Sequence, residues 1–131
     1  MRDGVNPLLR VFDDTLPEPT MLYSKDFKNL RVFFTIIPEN KIVMVCTGKK
    51  DVEKQLIYEG DILGYGDNYP CLVRYNPEEC VFDAVEYGPK HEGYPRVHTL
   101  TAYTMPWKIL GNLYQHRDLL KIHGNTKIPQ L

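Results

Sequence analysis

Leu56-Ile57-Tyr58-Glu59-Gly60-Asp61-Ile62-Leu63 consists of two short apolar runs folded about a glycine. Gly60 offers the positive φ that a sharp bend needs, and acidic residues beside such a glycine accept backbone N–H bonds that hold the turn. Strand, tight turn, strand is the direct reading. Residues 71–75, 81–87, 97–103 and 107–110 are further β-like runs, separated by Asn76-Pro77, Gly88-Pro89 and Met105-Pro106. The ten prolines and nine glycines are scattered rather than clustered, so they cut the chain into short segments without marking an interdomain linker. Short strands punctuated by turns predict a sandwich or a barrel.

Toward the N-terminus, residues 8–12 predict a strand bounded by Pro7 and Asp13-Asp14. Arg31-Val32-Phe33-Phe34-Thr35-Ile36-Ile37 is rich in β-branched and aromatic residues and stops at Pro38. With Pro38-Glu39-Asn40 as a turn, residues 31–37 and 41–46 are expected to pair as a β-hairpin. The polar stretch that follows, residues 47–55, is expected to be a loop or a single turn. Helix is expected only at residues 115–122, where Leu119, Leu120 and Ile122 share a face and Gly124 supplies a stop.

A chain of 131 residues has room for one core, and 43% hydrophobic with 25% charged residues is a globular composition. The longest apolar runs, residues 32–37 and 42–46, fall far short of the roughly 20 residues that span a bilayer. No signal-peptide pattern opens the sequence. The expectation is a soluble, cytoplasmic protein with no membrane partner. A net charge of −1 does not draw nucleic acid. Arg117, Lys121 and Lys127, with His116 and His123, form a local basic tail read as solvated. Cys46, Cys71 and Cys80 are odd in number and lack disulfide or zinc-ribbon spacing, so they are read as reduced, mostly buried side chains.

Three blocks, in order, are similar to one known family. Arg10-Val11-Phe12-Asp13 resembles the opening of the phage YopX family. Thr47-Gly48-Lys49-Lys50-Asp51, followed by Ile57-Tyr58-Glu59-Gly60-Asp61-Ile62, resembles its central signature. Trp107-Lys108-Ile109-Leu110-Gly111-Asn112-Leu113-Tyr114, trailed by Asp118-Leu119-Leu120, resembles its closing segment. The chain departs from the family pattern at Lys49, often apolar there, and at Val52-Glu53, where Asn-Gly is common. The resemblance implies a protein of phages or prophages and no particular activity: a mainly β fold with an SH3-like small antiparallel barrel over residues 47–114, an N-terminal β extension over residues 1–46, and a short helix and tail over residues 115–131. Ile57, Ile62, Val73, Val81, Val85, Leu100, Trp107 and Ile109 are expected to line the barrel.

Glu59 and Asp61 invite an acid/base reading, but two carboxylates flanking a turn glycine more simply hold the turn. A hydrolase would need a distant His91 or His98 brought beside them. A metal on Glu59 and Asp61 lacks further ligands in sequence, and His91 or His98 with Cys71 or Cys80 lacks zinc-binding spacing. Gly64-Tyr65-Gly66-Asp67-Asn68-Tyr69 has no following Lys-Ser/Thr to make a phosphate loop and reads as a hairpin loop. Ser24 lies in no nucleophile elbow, and burial at a strand end would blunt Cys46.

Nine tyrosines are the unusual feature, and Tyr65, Tyr69 and Tyr94 are the candidates for an aromatic binding surface. The expected function is therefore a non-catalytic binding or adaptor module without metal or cofactor, acting on a phage or host protein. Single-stranded nucleic acid is a less favoured ligand. Residues 31–37, apolar on both faces and placed at a sheet edge, predict self-association into a homo-oligomer.

Overall fold

A computed structural model describes residues 8–66, 70–86, 96–100 and 106–121. The chain divides into two compact units, Met1–Cys46 and Thr47–Leu131.

In the first unit, β1 (Leu9–Asp13) pairs antiparallel with β2 (Thr20–Tyr23) on one side and with β3 (Val43–Lys50) on the other. Val11, opposite both Leu22 and Val43, is fully buried. Leu9, Val11 and Phe33 centre a core completed by Leu22, Phe27, Leu30, Ile37 and Val43. After β2, a 3-10 turn at Ser24–Asp26 puts the Ser24 hydroxyl where it accepts the Leu9 N–H at 2.9 Å.

Residues 31–37 are not a strand. They form most of α1 (Leu30–Ile36), and the expected hairpin with residues 41–46 is absent because β3 pairs with β1 instead. The reason is local. Asn29 caps the helix by accepting the Val32 N–H at 2.9 Å, a contact that contributes about 1 kcal/mol. Leu30, Phe33 and Ile37 then recur at helical spacing toward the core, with Phe33 fully buried against Phe27 at 5.5 Å between ring centroids. Burying that phenyl ring is worth about 2–3 kcal/mol, more than the few tenths per residue by which β-branched side chains disfavour helix. Pro38 ends the helix by holding Ile37 extended, at φ −68° and ψ 143°. The edge-strand argument for self-association loses its premise. Phe34 and Ile36 nevertheless stay exposed on the helix.

The second unit takes up the chain within β3, whose residues 47–50 were expected to be loop. It continues through β4 (Leu56–Tyr58), β5 (Asp61–Gly64), β6 (Cys71–Asn76), β7 (Val81–Glu86), β8 (Arg96–Thr99) and β9 (Lys108–Asn112) to α2 (Asp118–Lys121). The last five strands make one antiparallel sheet in the order β8-β7-β6-β5-β9, a meander closed by β9 returning to pair with β5. A bulge falls between Ile62 and Leu63 in the β5–β9 pairing.

Alternation gives this sheet two apolar faces. One carries Leu63, Cys71, Val73, Ala84 and Leu100, packed with Ile57 and Trp107. The other carries Ile62, Leu72 and Val85, packed with Leu113 and Leu120. The expected single lining is thus divided: Ile57, Val73, Leu100, Trp107 and Ile109 serve the first cluster, Ile62 and Val85 the second. A helix as short as α2 has little stability of its own; burial of Leu120 supplies about 2 kcal/mol to hold it. The fold is mainly β, a small antiparallel half-barrel of SH3-like type with an N-terminal β extension and a short C-terminal helix. Among the described residues, no helix is long and apolar enough to cross a membrane.

Candidate functional site

The polar residues of the central and closing sequence blocks bond mainly to backbone. Thr47 donates its hydroxyl proton to the Ile57 carbonyl at 2.8 Å and accepts the Lys49 N–H at 3.0 Å, while Gly48 takes φ +81°. Asp51, nearly buried, accepts the N–H groups of Glu53 at 2.9 Å and Gln55 at 2.8 Å with one oxygen, and that of Ile109 at 3.1 Å with the other. One carboxylate therefore shapes the turn at Val52-Glu53 and ties it to β9. Lys54, at φ +65°, absorbs the strained position of that turn.

Asp61 is 2% exposed and accepts the Tyr58 N–H at 2.7 Å across Gly60, which sits at φ +89°. Gly60 also donates to the Val73 carbonyl and accepts from the Leu113 N–H, each at 2.8 Å. Glu59 is half-buried beside it. Asn112 accepts from Tyr114 at 3.0 Å and Gln115 at 2.9 Å, and donates to the Gln115 side chain at 2.8 Å. Gly111 is required here because a Cβ would stand 2.5 Å from the His116 ring, whose Nδ1 accepts the Asn112 N–H. Trp107 is buried, and its carbonyl accepts the Val52 N–H at 2.8 Å.

Tyr65 is half-buried, edge-on to Trp107 at 6.1 Å, and packed against the first core cluster. Tyr69 and Tyr94 lie outside the described residues, as do His91, His123 and Lys127. His98 is paired with Glu86, its Nε2 3.4 Å from a carboxylate oxygen.

That pairing belongs to a second grouping of polar atoms, assembled by strand register alone. Cys71 on β6 lies opposite Glu86 on β7, and His98 on β8 lies opposite Ala84, two residues from Glu86 on the same face. The Sγ, carboxylate and imidazole donors lie within 4.8 Å of one another. Cys71 is 1% exposed and Glu86 3%. Burial, and secondarily the nearby Glu86 charge, push the Cys71 thiol up to about 12. At neutral pH the thiol is protonated, which disqualifies it as a nucleophile. Trp107 packs edge-on to His98 at 5.6 Å, and its buried indole N–H has no hydrogen-bond partner among the described residues.

Cys71 and His98 were both visible as candidate ligands, but Glu86 was not, because no sequence motif joins residues on three strands. Counting register outward from the Asn76-Pro77 turn is the signal that would have found it.

The β6–β7 hairpin presents one further feature, an open depression of about 220 Å³ lined by Arg74, Tyr75, Asn76, Pro77 and Glu78. Tyr75 is 42% exposed and rests edge-on against Phe82 at 5.2 Å. Asn76 shapes the turn by accepting the Glu78 and Glu79 N–H groups.

Among known proteins, the family model described as YopX protein matches residues 17–121. A search of curated proteins finds no match. The matched segment takes in α1, the Asp51, Asp61 and Asn112 turns and the Cys71–Glu86–His98 grouping, and the chain belongs to the YopX family.

Proposed function

We propose that the protein is a non-catalytic binding or adaptor module of phage or prophage origin, acting on a phage or host protein inside the bacterial cell. The observation that carries this reading is the engagement of Asp51, Asp61 and Asn112 by backbone amides. These three side chains serve the scaffold, and the reading assigns the protein's work to the scaffold's surface. A hydrolase built on Glu59 and Asp61 is disfavoured, since Asp61 already accepts a backbone bond in a buried turn.

The contact surface in this reading is the β6–β7 hairpin, where an exposed arginine and a half-supported tyrosine flank a shallow depression. Arginine and tyrosine are the side chains most often dominant in protein interfaces. Its test is capture from phage-infected cells with the wild-type chain and an Arg74→Ser/Tyr75→Ala variant. A protein enriched by the first and lost with the second is expected; identical recoveries overturn the assignment. Self-association belongs to the same proposal and rests on exposed Phe34 and Ile36 of α1. Light scattering should find a species larger than a monomer that reverts to monomer on Phe34→Asp.

A further inference from the structure

The geometry points to Cys71, Glu86 and His98 as a transition-metal site, and we propose that it binds one zinc ion through Sγ, a carboxylate oxygen and an imidazole nitrogen. Zinc takes thiolate at about 2.3 Å and nitrogen or oxygen at about 2.0–2.2 Å, which places tetrahedral ligands about 3.3–3.6 Å apart. Glu86 and His98 already stand 3.4 Å apart, and all three donors lie within 4.8 Å of one another. Small side-chain rotations complete the approach. The three residues share one face of three consecutive paired strands.

Charge leads to the same assignment. A thiol and a carboxylate lie side by side, both nearly out of water, where a divalent cation can bind both. Thiolate, carboxylate and neutral imidazole against Zn²⁺ sum to zero, the combination a buried site tolerates best. The His98 side chain is 24% exposed, so the ion has a solvent-facing approach along β8. Three protein ligands leave a fourth tetrahedral position, and the indole of Trp107 packs beside His98 with a buried donor still to be used.

The test uses the full chain, stripped with chelator and titrated with Co²⁺ as a spectroscopic stand-in for zinc. A thiolate-to-cobalt charge-transfer band saturating at one equivalent, with the intense visible bands of tetrahedral cobalt and displacement by Zn²⁺, is expected. Cys71→Ala should abolish the charge-transfer band. His98→Gln, at the most exposed of the three positions, should weaken affinity by more than the roughly 10–100-fold that loss of an outer-sphere partner costs. A Cys46→Ser/Cys80→Ser variant should keep the band. Circular dichroism establishes that each variant is folded. Absence of a charge-transfer band in the wild-type chain, or its persistence in Cys71→Ala, overturns the proposal irrespective of how the variants fold.

Discussion

Two sets of polar side chains in the second unit differ in what they touch. Asp51, Asp61 and Asn112 accept N–H groups of the main chain, mostly two to four residues away. Cys71, Glu86 and His98 converge side chain to side chain across three strands. Removing a member of the first set strands a backbone amide, whereas removing a member of the second breaks contacts between side chains and leaves the main-chain hydrogen bonds in place. The first set is scaffold. The second joins a thiol, a carboxylate and an imidazole, the donor types that hold a transition metal.

The sharpest way to break this distinction is Asp51→Ala, which leaves three backbone N–H groups without their acceptor. Charge-assisted bonds of this kind contribute about 1.5–3 kcal/mol each, and with partial rescue by water the expected loss is about 3–4 kcal/mol in urea unfolding. A loss below about 1 kcal/mol would put Asp51 outside the scaffold set. Asp61→Ala removes the short bond to the Tyr58 N–H at a more buried position, and about 2 kcal/mol is expected.

Glu86→Gln is the counterpart in the other set. Measured with chelator present, it should cost about 1 kcal/mol, less than Asp51→Ala, since the isosteric amide keeps an oxygen acceptor for His98 and removes only the charge of the pair. A loss as large as that of Asp51→Ala would merge the two groups. The surface baseline is Asp14, whose carboxyl is held below its ordinary value chiefly by its hydrogen bond to Lys41. A depressed carboxylate contributes above its unfolded pKa and loses that contribution as pH falls through the folded one. Because Asp14 is solvent-exposed, Asp14→Asn should leave the unfolding midpoint unchanged within error at neutral pH and identical in acid.

The distinction also accounts for what could be read in advance. β4 to β7, the Gly60 turn and the acceptor role of Asp61 were legible because each signal lies within a few residues of its effect. Residues 31–37 were misread because β-branched and aromatic composition carries no direction, while the deciding facts were the Asn29 cap and the 30, 33, 37 spacing toward a core made by other strands. β2 escaped notice because Thr20-Met21-Leu22-Tyr23 is too short to show alternation. Glu86 went unnoticed for a stricter reason: its neighbours are set by register, and a one-residue slip would have faced it the other way.

The return of β9 to β5 also has a bearing on how the chain is born. During synthesis β5, β6, β7 and β8 emerge in order, each next to the strand it will pair with, so local pairing can begin at once. Asp61–Gly64 must wait: its second neighbour, Lys108–Asn112, leaves the ribosome only after the others have been made. Throughout that interval the nascent meander carries the bare edge of β5, with Ile62 and Leu63 on it, a surface open to chaperones or to another nascent chain.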